Sequence, residues 1–156
     1  MAGRRGINRR VFLMGMVAVV GATAFAFLRL PSQAGGLPEV RLGVDKCAYC
    51  GMIIVDVRFA ALYYDGRRWE KFDDVLCLLD FLRAVDKLGD FGNAYVHDYV
   101  SGAVVKASDA YYIINKQIPT PMGSGILAFA DRNTASKYGK VLTATELINK
   151  YQQERV

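Results

Sequence analysis

FAALYYDGRRWEKFDDVLCLLDFLRAVDKLG, residues 59–89, carries the elements that decide the fold. Residues 59–64 form an apolar run, and Asp65-Gly66 is a strong hairpin turn. Residues 69–72 alternate as a returning strand. Asp73-Asp74 reads as a helix N-cap. Behind it Val75, Leu78, Leu79, Leu82 and Val85 recur at helical spacing, with Asp80, Arg83 and Lys87 on the opposite side. Gly89 is placed to end that helix. Residues 94–100 (AYVHDYV) return to strand alternation, so the order is strand, strand, helix, strand.

Downstream the same outline recurs more faintly. Residues 111–115 and 126–130 read as strands around the loop TPMGSG (120–125). Asn133 is placed to cap a short helix ended by Gly139, residues 141–143 form a last short strand, and residues 146–151 a terminal helix. Upstream, MIIVDV (52–57) is a β-branched run suited to a buried strand. The expected class is α+β, with a first unit over 47–104, a second over 105–156, and an extended, mobile lead-in over 35–46.

Residues 1–34 belong to a different problem. They run from a basic start through an apolar stretch of 18 residues, 11–28, to small and polar residues. That is the order of an export signal. Asn8-Arg9-Arg10-Val11-Phe12-Leu13 resembles the twin-arginine address. The apolar stretch is close to the roughly 20 residues that span a bilayer, so the segment is either a cleaved signal peptide or a retained anchor. Arginines before the stretch hold that end in the cytoplasm and put the remainder in the periplasm or on the extracytoplasmic face. A membrane association is expected only through this segment.

The net charge of +5 resides there too, because residues 1–34 hold five arginines and no acid. The remaining 122 residues hold 15 basic and 15 acidic side chains, so they carry no net charge. A nucleic-acid partner needs a basic stripe, and none is visible.

KCAYCGM, residues 46–52, packs two cysteines and a methionine into six positions. Were this stretch extended, Cys50 and Met52 would share one face. Thiolate plus thioether is a soft donor pair that selects Cu(I) over harder divalent ions. Three cysteines in an exported chain also leave at least one thiol unpaired unless it is bound to something. Three other readings stand beside this one. Cys47 and Cys50 could be a thiol–disulfide redox pair. Cys47, Cys50, Cys77 and His97 together could close a structural zinc site. Met52 could simply fill a core gap. Cys77 lies in the first turn of the expected helix, where the backbone dipole favours a thiolate; it could equally be a small core residue. His97, the only histidine, and Met122, on the 120–125 loop, are further candidate ligands.

Four segments in series resemble the NosL family, the copper-delivery proteins of nitrous-oxide reductase. They are Asp45-Lys46-Cys47-Ala48-Tyr49-Cys50-Gly51-Met52, then Phe72-Asp73-Asp74-Val75-Leu76-Cys77-Leu78, then Val96-His97-Asp98-Tyr99, and finally Thr120-Pro121-Met122-Gly123-Ser124-Gly125 leading to Ala128-Phe129. The resemblance implies two small ββαβ-type subdomains related to part of organomercurial lyase. It implies no enzyme but an exported Cu(I) chaperone for maturation of nitrous-oxide reductase in denitrification, charged by an upstream copper donor. It implies that Cys50 and Met52 are metal ligands, with the third among Cys47, His97, Cys77 and Met122. Many family members are lipoproteins acylated on an N-terminal cysteine; here no cysteine follows the apolar stretch until Cys47.

Overall fold

A computed structural model describes residues 36–154. The export or anchor segment expected over 1–34 lies outside the described residues. Among those residues no helix is long and apolar enough to cross a membrane.

The decisive stretch folds as a hairpin followed by a helix. Strand β1 (Ala61–Tyr64) pairs antiparallel with β2 (Trp69–Phe72). Asp65 closes the turn by accepting from the N–H groups of Arg67 (2.7 Å) and Arg68 (2.8 Å). Gly66 there takes φ +95°, the left-handed region that glycine enters without a Cβ penalty. Helix α1 (Val75–Ala84) starts at Asp74, whose carboxylate accepts from Leu76 N at 2.8 Å.

The helix ends five residues before Gly89. Lys87 N donates to Leu82 O and Asp86 N to Arg83 O, the paired bonds of a Schellman closure with Asp86 at φ +56°. An aspartate thus does the work expected of a glycine, and Leu88–Asn93 continues as a 3₁₀ turn. Val85, just past the helix end, is exposed; Asp80, expected on the outer side, is buried because it accepts from Tyr151 Oη at 2.6 Å.

Strand β3 (Ala94–His97) lies beside β1, and a short edge strand β4 (Val104–Lys106) lies beside β3, giving the sheet order β2-β1-β3-β4. Strand β4, exposed at Val104 and Lys106, was not legible as a strand, and it extends the first half to Lys106. In the second half β5 (Tyr111–Ile114) pairs with β6 (Ile126–Phe129), and helix α2 (Arg132–Ser136) follows. Its N-cap is Asp131, which accepts from Thr134 N at 2.6 Å, rather than Asn133. The strand expected over 141–143 is reduced to one antiparallel bridge between Leu142 and Tyr112. Helix α3 (Ala144–Glu154) opens with a capping box, Glu146 accepting from Thr143 N at 2.7 Å while Thr143 Oγ1 accepts from Glu146 N.

Both halves therefore run strand, strand, helix, returning strand, with the returning element beside the first strand. They share one core. Phe72, Cys77, Leu78, Leu82 and Val96 from the first half pack in the same buried cluster as Tyr112, Ala128, Leu147 and Tyr151 from the second.

The expected strand over 52–57 does not form. It contributes a single bridge, Ile53 to Lys46, before a 3₁₀ turn at Val57–Phe59 capped by Asp56. Only Ile54 of the run is fully buried; Met52, Ile53 and Val55 are exposed. The lead-in is tethered rather than loose, since Val40 is buried with Ile54, Ala60 and Leu62.

Candidate metal centre

The chain reverses direction at residues 47–52. Cys47 N donates to Met52 O at 2.8 Å, and Gly51 N donates back to Cys47 O at 3.0 Å. Gly51 takes φ +78° with open space where a Cβ would stand, so the turn needs a glycine for backbone conformation, not for room. A left-handed residue between Cys50 and Met52 means that the two do not lie on one extended strand. Ala48 N donates to Lys71 O at 2.8 Å, which pins this loop against the end of β2 and so beside the start of α1.

That tie assembles the site. Cys47 and Cys50 come from the loop, Asp73 from the β2–α1 junction and Cys77 from the first turn of α1. The three sulfurs and an Asp73 oxygen all lie within 4.8 Å of one another, a set able to hold a metal ion. Cys47, Cys77 and Asp73 are buried, and Cys50 is half-buried. All three cysteines are free thiols.

The thiols are not equivalent. The Cys47 thiol is brought down to about 6, first because the Cys77 S–H donates to it, then through the N–H groups of Cys50 and Asp73; burial and the Asp73 carboxylate oppose this. Cys77 is pushed up by the same bond, in which it keeps the proton, and by burial. Burial likewise raises Cys50, against the pull of the Met52 N–H. Its Sγ lies 3.5 Å from Asp73 Oδ1 and donates to it. At neutral pH the metal-free site therefore holds one thiolate, Cys47, between neutral thiols and a carboxylate. Replacing Cys77 with alanine removes the first-named cause. The thiolate absorbance of the metal-free chain should then titrate at a higher pH than in the unaltered chain, where one ionisation is expected near 6.

The other expected ligands are placed differently. His97 is buried at the end of β3, and its Nδ1–H donates to Ala60 O at 2.9 Å; burial lowers its pKa and keeps it neutral. It is not among the four residues that come together. Met52 stands at the exit of the loop with its side chain exposed. Met122 is also exposed, and its loop is tied to the same helix start: Met122 N donates to Asp74 Oδ2 at 3.0 Å and Ser124 Oγ to Asp74 Oδ1 at 2.8 Å. Gly125 of that loop has φ +65°, and a Cβ there would stand 2.5 Å from Asn115 O.

Asp73 was missed by sequence reasoning, which read Asp73-Asp74 as one capping signal. A helix needs only one N-cap, and Asp74 fills that role; the surplus carboxylate was the available clue.

Fold and site together define an α+β domain of two ββαβ halves carrying a donor set of three thiols and a carboxylate, buried except at the half-buried Cys50. The chain belongs to the NosL family, whose model matches residues 42–150. Its fold is similar to the crystal structure of the copper chaperone NosL from Shewanella denitrificans. The two are 20% identical, the match covers 71% of this chain and 94% of that one, and the TM-score is 0.59. No curated protein sequence matches this one.

Proposed function

We propose that this chain is an extracytoplasmic Cu(I) carrier, not an enzyme, and that it supplies copper to nitrous-oxide reductase. The observation that carries the reading is the convergence of Cys47, Cys50, Cys77 and Asp73 within 4.8 Å, with Met52 exposed two residues after Cys50. Membership of the NosL family and the copper-chaperone function of its structural neighbour support it. The twin-arginine-like pattern at residues 8–13 supports export.

Copper is cargo here, and the residues divide the labour by exposure. Cys47 presents the buried thiolate that receives the ion. Cys50, half-buried, is the sulfur a receiving ligand can reach and displace. Met52 offers a thioether at the mouth, soft enough for Cu(I) and neutral enough to let go. Cys77 and Met122 are further candidate donors, and Asp73, which accepts from the Cys50 S–H in the metal-free site, holds that sulfur in place. Since Cys47 regains a proton as pH falls through about 6, affinity for the ion should fall with it.

Anaerobic titration of the reduced chain tests the reading. One Cu(I) should bind tightly and Zn(II) much more weakly; Zn(II) binding as tight or tighter would favour a structural zinc site instead. Met52→Ala should lower copper retention while leaving thiol reactivity unchanged.

The lowered Cys47 favours one alternative, a thiol–disulfide oxidoreductase using Cys47 and Cys50. Against it, Cys47 is only 3% exposed, and an attacking thiolate must reach its target. Rapid exchange with a protein disulfide that survives Met52→Ala would reverse this preference.

A further inference from the structure

The apolar run at residues 52–57 has a core-like composition but does not enter the core. Leu42, Val44, Tyr49, Met52, Ile53 and Val55 all stand exposed, Val55 at 70%. They lie on one ribbon. Gly43 N donates to Ile54 O, Lys46 bridges to Ile53, and Cys47 N donates to Met52 O, so residues 43–54 fold back on themselves with Cys50 in the loop at the tip. Clustered exposed apolar side chains of this kind mark interaction surfaces.

The site says what must cover them. Cys47 and Cys77 are 3% and 0% exposed, so a group that takes an ion from this centre has to come in at the half-buried Cys50. Any macromolecule bringing such a group to Cys50 meets Tyr49 and Met52, the exposed side chains that flank it in the loop. The charges fit a partner of one sign. Asp45 is occupied by Arg41 (2.8 Å) and Lys71 (2.6 Å), and Asp56 by Arg58 (2.6 Å). Among the described residues Lys46, exposed in the middle of the ribbon, has no ion pair.

We infer that the ribbon of residues 42–55 is the docking surface for the copper-receiving protein, which meets it with an apolar face around its own empty soft-metal site and a carboxylate opposite Lys46. The inference rests on the carrier reading above. Docking excludes water around Cys50 and puts the receiving ligand within reach of the ion, while the Lys46 contact guides the approach.

The test uses the full chain loaded with one Cu(I) and two acceptors, copper-free nitrous-oxide reductase and a small bidentate Cu(I) chelator that needs no docking. Ile53→Glu and Val55→Glu alter neither a thiol nor Met52. Both should bind Cu(I) as the unaltered chain does and lose it to the chelator at the same rate. Transfer to the enzyme should slow at least about tenfold, as for a desolvated contact at the centre of an interface. Lys46→Glu should slow transfer chiefly at low salt and reverse its salt dependence, so that added salt speeds transfer by this variant.

Unchanged transfer to the enzyme in all three variants would overturn the inference, as would an equal slowing toward the chelator. So would an unaltered chain that delivers to the enzyme no faster than to the chelator. Self-association, or binding to anionic vesicles, that Val55→Glu removes without touching transfer would assign the ribbon to a second copy or to a membrane. Failure of the carrier reading looks different: the unaltered chain would not retain Cu(I) before any acceptor is added.

Discussion

Cys47→Ser is expected to weaken Cu(I) binding more than any other single substitution, by at least about a hundredfold and so beyond the usual effect of altering a supporting residue. The reason is charge as well as softness. Cys47 is the one thiol whose surroundings hold it ionised at neutral pH, through the Cys77 S–H and two backbone N–H groups. A serine hydroxyl is hard and stays protonated in this range, so it offers a monovalent soft ion no anionic donor. Cys50→Ser should lose less affinity but release the remaining copper faster, because Cys50 is the more exposed sulfur.

The substitution should spare the fold. A buried hydroxyl can still accept from the same donors, so the metal-free variant should lose less than about 2 kcal/mol, within the ordinary range for a single change. Competition titration against a Cu(I) chelator reads the affinity, and thermal unfolding of the metal-free chain reads the control. A variant that keeps its affinity within about tenfold would remove Cys47 from the site.

The largest loss of stability is expected from Asp74→Ala. Asp74 is fully buried, and its carboxylate holds Leu76 N, Met122 N and Ser124 Oγ at 2.8, 3.0 and 2.8 Å. Alanine deletes an N-cap worth about 1 kcal/mol. It also removes two hydrogen bonds to a charged group, about 1.5–3 kcal/mol each. The 120–125 loop comes from the second half of the chain, so its tie to the first is lost along with the start of α1. A loss of at least about 3 kcal/mol follows, which for a domain of this size lowers Tm by roughly 10 °C. Asp74→Asn, which keeps an acceptor for Leu76 and Ser124, should lose clearly less. If Asp74→Ala melts within about 2 °C of the unaltered chain, the loop is not held in this way.

Copper affinity of the same variant separates two roles for Met122. Should its thioether reach the ion, freeing the loop lowers affinity beyond what the shift in stability explains, and Met122→Ala reproduces that excess. Should it not, both variants bind copper as before.

How legible all this was depended on distance along the chain. The hairpin over 61–72 could be read because Asp65-Gly66 and the flanking alternation act within a few residues of one another. The start of α1 could be read because Asp74 caps a group only two positions away. Its end could not, since Asp86 stands where glycine is the usual signal. Nor could the burial of Asp80, whose partner Tyr151 lies 71 residues on. The same holds for residues 52–57: their composition suits a buried strand, but among the described residues they pair through a single bridge, and Met52, Ile53 and Val55 stay exposed.

The donor set divides along the same line. The amino-acid sequence by itself determined that Cys47, Cys50 and Met52 stand within six positions of one another, whereas the reversal at Gly51, with φ +78°, replaced the extended geometry expected there. The sequence also determined the strand, strand, helix order that opens each half, though not the edge strand β4. Only the tertiary structure brought Asp73 and Cys77 to that reversal and kept His97 out of the group. Those choices depend on where β2 and α1 pack, and packing is settled by contacts between residues too far apart for any local pattern to record.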